Sequence, residues 1–115
     1  MLTRYKRSNE KIAMGLLSFM PKERNFKQLK KTMELYNEQA DWQLFLWKVG
    51  DSYVGAIGIH IEDAESFTVH HISVIPSFRR EGIGHKMVMR VEGLMAHRRA
   101  KPTEETQTFM MKCGV

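Results

Sequence analysis

The sequence predicts an α+β domain, and three observations predict it. Two amphipathic helical patterns come early. An aromatic and β-branched hairpin pattern with a third strand follows. A strand then runs through a glycine-rich loop into another helix. With 115 residues the chain has the size of one domain, taken as residues 1–115, and no room for a second core.

"MLTRY" reads as a short edge strand. Ser8 is placed as the N-cap of a helix whose Ile12, Leu16, Phe19 and Met20 share one face and which Pro21 ends. In the second helix Phe26, Leu29, Met33 and Tyr36 recur at helical spacing, while Lys27, Lys30, Lys31 and Glu34 look outward. Trp42 to Val49 is an apolar run, Gly50-Asp51-Ser52 is a turn signal, and Tyr53, Ile57, Ile59 and Ile61 alternate, which makes a hairpin. Gly55 and Gly58 inside its second strand mark a place where a helix or ligand presses on the sheet.

A polar bend at Glu62 to Ser66 leads into a third strand, Phe67 to Val74. After Gly84 the stripe Met87, Val88, Val91, Leu94 and Met95 is helical, with Lys86, Arg90, Glu92 and His97 off it. "AHRRAK" reads as a solvated helix end, with charge that a ligand bearing several phosphates could use. "TEETQTFMMKCGV" reads as a short helix ending near Gly114.

Composition narrows the classes. A hydrophobic content of 43% and a charged content of 27% are those of a soluble globular protein. The net charge of +5 favours anionic partners. Nucleic acid is disfavoured, because the Arg79-Arg80 and Arg98-Arg99 pairs lack interleaved aromatics. "IAMGLLSFM" lacks the cleavage site of a signal peptide, and no apolar run is long enough to span a bilayer, so no membrane role is expected and the cytoplasm is. The single Cys113 fits a reducing compartment and reads as a structural thiol. Trp42 and Trp47 read as core, and the methionines at helical spacing as packing.

The chemistry concentrates in "VIPSFRREGIG", residues 74–84. At the head of a helix the first amides have no partner within the helix and the peptide dipoles place positive charge there, which suits a phosphate or pyrophosphate. Gly82 and Gly84 keep side chains away, and Arg79 and Arg80 add forked donors. No Gly-Lys-Ser/Thr follows, so this is not a P-loop. It also lacks the third glycine of the dinucleotide fingerprint.

The stretch Arg79-Arg80-Glu81-Gly82-Ile83-Gly84, preceded by "ISVIPSF", resembles motif A of the GCN5-related N-acetyltransferases. "LFLWKVGDSYVGAIGI" and "TFMMKCGV" resemble that family's second and third strands and its closing segment. The overall texture is similar to small acetyltransferase-like proteins of riboflavin operons. The resemblance implies an α/β/α arrangement, a mixed and mostly antiparallel sheet with helices on both faces. It implies acetyl-CoA as co-substrate and an amine of a small molecule or protein as acceptor. The final strands that most relatives have are not expected in this chain, which would leave the acceptor side open or completed by a second copy in a homodimer.

Carried onto this chain, the resemblance puts the thioester and pantetheine arm on the backbone of Ile72 and Val74. It puts the pyrophosphate on Arg79, Arg80, Gly82, Ile83, Gly84 and His85. The tyrosine that protonates the departing thiolate in many members is replaced by Met110, whose thioether cannot do so. Either the thiolate leaves unassisted, another donor serves, or the protein is a weak or inactive acyl-CoA-binding module.

For the base, Thr68, His70 and His71 lie on the strand, with Glu62 and Glu65 before it. Thr68, His70, Ile72 and Val74 share a face if the strand is regular, which favours His70 over His71. A metal is not expected, since the five histidines show no ligand spacing with acidic partners and His70 and His71 would point to opposite faces.

Overall fold

The computed structural model describes residues 1–96 and 98–112. His97, Cys113 and Gly114, on which readings were made above, lie outside the described residues, and with them the end of the closing segment. The chain forms β1 (Leu2–Arg4), α1 (Glu10–Leu17), α2 (Phe26–Glu38), β2 (Trp42–Val49), β3 (Ser52–Ile61), β4 (Ser66–Val74), α3 (Ile83–Leu94), β5 (Arg99–Pro102) and α4 (Gln107–Lys112). Short 3-10 turns precede α1, α2 and α3.

The strands lie in the order β1-β2-β3-β4-β5, antiparallel except for the parallel pair β4–β5. A parallel pair needs a crossover, and α3 supplies it. Alternation along the strands then builds a core on each face. Phe45, Ile57, Val69, Ile72 and Val74 meet Met87, Val88 and Val91 of α3 on one side. On the other, Leu44, Leu46 and Ala56 meet Leu16, Leu17, Leu29 and Met33 of α1 and α2. Helices therefore cover both faces of a mixed sheet, as expected. Among the described residues no helix is long and apolar enough to cross a membrane.

Several local readings are corrected. Ser8 lies within the 3-10 turn, and Asn9, which makes no side-chain cap, precedes α1. The buried stripe of α1 is Ala13, Leu16 and Leu17, whereas Ile12 and Phe19 are 41% and 40% exposed. The helix ends at Leu17, not at Pro21, so Phe19 sits in the following turn and is no longer on a helical face.

In α2 the first residue, Phe26, is exposed, and Thr32 joins Leu29, Met33 and Tyr36 instead. Asn25 caps this helix, its Oδ1 accepting from the Gln28 amide at 3.1 Å. Leu94 is exposed at the end of α3, while Met95 is buried as the stripe predicted. "AHRRAK" is not a helix end: Arg99 to Lys101 belong to β5.

The two strand glycines behave as expected, because Met87 of α3 lies against Gly55 and Tyr36 of α2 against Gly58. Beside Gly58 the β3–β4 register slips. Gly58 pairs with His71 but Ile59 pairs with Val69, leaving His70 as an extra residue in β4. This bulge decides which histidine faces what.

Candidate functional site

β5 is registered only against Ser66 to Val69 of β4. From His70 onward β4 continues without a strand beside it on that side among the described residues. The space so opened is a groove of about 560 Å³. Ile72, Ser73 and Val74 form one wall, the 3-10 turn and α3 head (Phe78 to His85) close one end, and Phe19 to Pro21 face Glu105, Thr106 and Phe109 across it.

Each part is held for a local reason. Pro76 starts the 3-10 turn Pro76–Phe78 that ends β4, and Arg79 turns back so that its Nε donates to the Val74 carbonyl at 2.8 Å. Its guanidinium also covers the Phe19 ring at 5.7 Å. Gly82 is the N-cap of α3 at φ 78°, a left-handed conformation that glycine takes without strain, and it offers no capping side chain. Arg80 also has positive φ, 68°, and the loop therefore turns sharply just before the helix. Across the groove, the Thr106 hydroxyl donates to the Val69 carbonyl at 2.8 Å and pins the start of α4 to the last residue of β4 that pairs with β5. Glu105, which lines the groove, pairs with Lys22 at 3.1 Å.

The sequence-predicted residues Ile72, Val74, Arg79, Arg80, Gly82, Ile83, Gly84 and His85 all line this one groove. Phe19, Glu105 and Phe109 line it too and were missed, since nothing local in "SFMP" or "EETQTF" marks a residue whose neighbours come from across the sheet. Met110 is buried in the core that α3 covers, so its thioether packs there and has no proton to give.

The bulge corrects the argument that led to His70. Ile72 and Val74 share the α3 face with Phe67 and Val69, while His70 and His71 both turn toward α2. The two histidines do not point to opposite faces: their rings lie 6.4 Å apart, centroid to centroid.

His71 is buried with both ring nitrogens engaged, Nδ1 with the Tyr36 hydroxyl at 2.6 Å and Nε2 with Glu23 Oε1 at 2.9 Å. The Thr32 hydroxyl donates to the same carboxylate at 2.9 Å. Burial, and then the Glu23 charge, push the Tyr36 phenol well above its usual range.

His70 is half-buried against Trp42 at 4.6 Å. Burial first, and then the neighbouring His71 and His60, lower its pKa.

The family model described as "Acetyltransferase (GNAT) family" matches residues 12–110. A Bacillus methanolicus protein, described as an uncharacterized N-acetyltransferase in the lysA 3' region, is 45% identical over all of this chain and 96% of its own length. Among solved structures, a GNAT family acetyltransferase from Elizabethkingia anophelis with acetyl-CoA bound superposes with a TM-score of 0.70 at 14% identity, covering 97% of this chain and 72% of that one. AAC(6')-Iy in complex with a coenzyme A bisubstrate analogue superposes with a TM-score of 0.76 at 16% identity, covering 99% and 88%.

Proposed function

We propose, since the chain belongs to the acetyltransferase (GNAT) family, that it moves the acetyl group of acetyl-CoA onto an amine, with the carrier lying in the groove beside β4. The observation that carries this reading is the coincidence of an unpaired stretch of β4 with the head of α3 in one cavity. Amides of the β4 edge suit the pantetheine arm as an added strand would. The α3 head, with Arg79 and Arg80, suits the pyrophosphate. Acetyl-CoA and a coenzyme A bisubstrate analogue bound to proteins of the same fold support the assignment.

In the transfer, the amine nitrogen attacks the thioester carbonyl carbon, the C–S bond breaks, and the nitrogen gives up a proton. A main-chain N–H of β4 near Ile72 stabilises the oxygen as it becomes negative. Holding both reactants in one groove supplies much of the remaining acceleration. Glu105 is the one carboxylate among the described lining residues, and we assign it the proton; His70, on the α2 face, is the second candidate. With Met110 buried, the thiolate leaves without a tyrosine and is protonated by water. The match to acetyltransferases favours transfer over a module that only senses the carrier.

The proposal extends to a cytoplasmic protein and to a homodimer whose second copy walls the acceptor side beyond β5. The link to riboflavin operons rests on sequence texture alone.

Thermal unfolding with acetyl-CoA tests the carrier, and thiol release with a panel of amines tests the transfer. A carrier at about a hundred times its Kd adds roughly 2.7 kcal/mol and moves the midpoint by several degrees. No shift at saturating acetyl-CoA would overturn the reading.

A further inference from the structure

On the α2 face, away from the groove lining, β3, the following bend and the β4 bulge bring His60, Glu62 and His70 together. One ligand-type atom from each lies within 4.8 Å of the other two. His60 Nδ1 is 3.1 Å from Glu62 Oε1. Its other nitrogen, Nε2, donates to Asp41 Oδ2 at 2.8 Å. The Thr68 hydroxyl donates to Glu62 Oε1 at 2.8 Å. Trp42 stacks on His60 at 4.5 Å and lies against His70 at 4.6 Å, so one indole sets the position of both imidazoles.

We infer that His60, Glu62 and His70 form a binding site for a divalent transition-metal ion of the zinc class. Two imidazoles and one carboxylate are a borderline donor set that suits such an ion better than the hard cations calcium or magnesium. In a tetrahedral zinc site with bonds of about 2.0–2.2 Å, ligand atoms stand roughly 3.4 Å apart. His60 and Glu62 already stand at that spacing, and the remaining closure, at most about 1.4 Å, falls on His70.

The surroundings match what a metal histidine requires. A carboxylate on the far nitrogen fixes the tautomer, and Asp41 does this for His60, leaving Nδ1 toward Glu62. Thr68 holds the carboxylate in the same way. His70 reaches the cluster only because the extra residue in β4 turns it onto the face of His60. Three protein ligands leave further positions to water. The inference does not depend on acyl transfer.

The full chain, freed of metal, is titrated with Zn²⁺ by calorimetry and with Co²⁺ by visible absorption. Expected are one Zn²⁺ per chain, a raised unfolding midpoint, and d–d bands of a nitrogen- and oxygen-ligated Co²⁺ without a thiolate charge-transfer band. His60→Ala and His70→Ala should each abolish stoichiometric binding. Asp41→Asn, which leaves all three ligands in place, should weaken it about tenfold to a hundredfold.

Circular dichroism and the acetyl-CoA thermal shift show whether each variant is folded, so a lost site is told apart from a lost fold. No binding at millimolar Zn²⁺ would overturn the inference. So would binding that survives His70→Ala, or binding lost in Cys113→Ser instead, which would place the ion elsewhere.

Discussion

The hydroxyl of Tyr36 occupies the place where a side chain on Gly58 would begin. The same hydroxyl meets His71 Nδ1 at 2.6 Å, so a missing side chain in β3 is what lets α2 reach the histidine of β4.

Gly58→Ala should therefore be severe. The new methyl must displace a buried phenol and separate it from His71, which combines overpacking with a stranded polar group. A loss of about 3 kcal/mol or more is expected, seen as a fall of roughly 10 °C or more in Tm. Gly15→Ala is the control: nothing lies within 4 Å of the added carbon and the site is an exposed helical one. It should stabilise by about 0.5–1 kcal/mol.

Alkaline pH should weaken the fold through Tyr36. Its phenol is surrounded by His71 and Glu23, and burial with the Glu23 charge holds the proton on in the folded protein beyond the usual pKa of about 10. Below that pH both states carry the proton and nothing is lost. Above it the unfolded chain ionises first, the native state binds the extra proton, and stability falls as pH rises. Tyr36→Phe should flatten this fall in denaturation curves taken between neutral and strongly alkaline pH. At neutral pH it should cost about 1–3 kcal/mol, because His71 Nδ1 loses its partner.

Carrier affinity should fall sharply in Arg79→Ala. Arg79 both ties the loop to the Val74 carbonyl and brings charge to the α3 head. Charge-assisted hydrogen bonds of about 1.5–3 kcal/mol correspond to a loss of roughly tenfold to a hundredfold or more in Kd for coenzyme A, measured by calorimetry. Gly82→Ala should also weaken binding, since φ 78° costs an alanine about 1–2 kcal/mol and the loop would relax away from that shape.

Glu105→Gln separates positioning from proton transfer. If Glu105 takes the amine proton, kcat should drop by about a hundredfold or more while affinity for acetyl-CoA changes little. A drop of that size in His70→Ala, with none in Glu105→Gln, would move the proton to the other face of the sheet.

The turn at Gly82 and the placing of Gly84 and the arginine pair at the head of α3 were readable because a strand-to-helix junction is local: its turn and its charge come from consecutive residues. Strand alternation likewise announced the hairpin, and Leu29, Met33 and Tyr36 announced α2. Phe19 was misread because helical spacing was extended past the true end of α1. Leu94 was misread because its spacing of three from Val91 was counted onto the stripe, whereas the end of α3 buries the series Met87, Val91 and Met95 at spacing of four.

By itself the sequence determined the order of the elements as far as α3, the alternation of Ile57, Ile59 and Ile61 in β3, and the glycine turn at the head of α3, since these follow from spacing within a few residues. Only the tertiary structure decided what meets across the sheet. The single extra residue at His70 turns both histidines toward α2, assembles His60 with Glu62 and His70, and leaves Ile72 and Val74 on the α3 face. Strand alternation has a period of two, so one inserted residue reverses every later side chain, and whether it is inserted depends on how β4 registers against its neighbour.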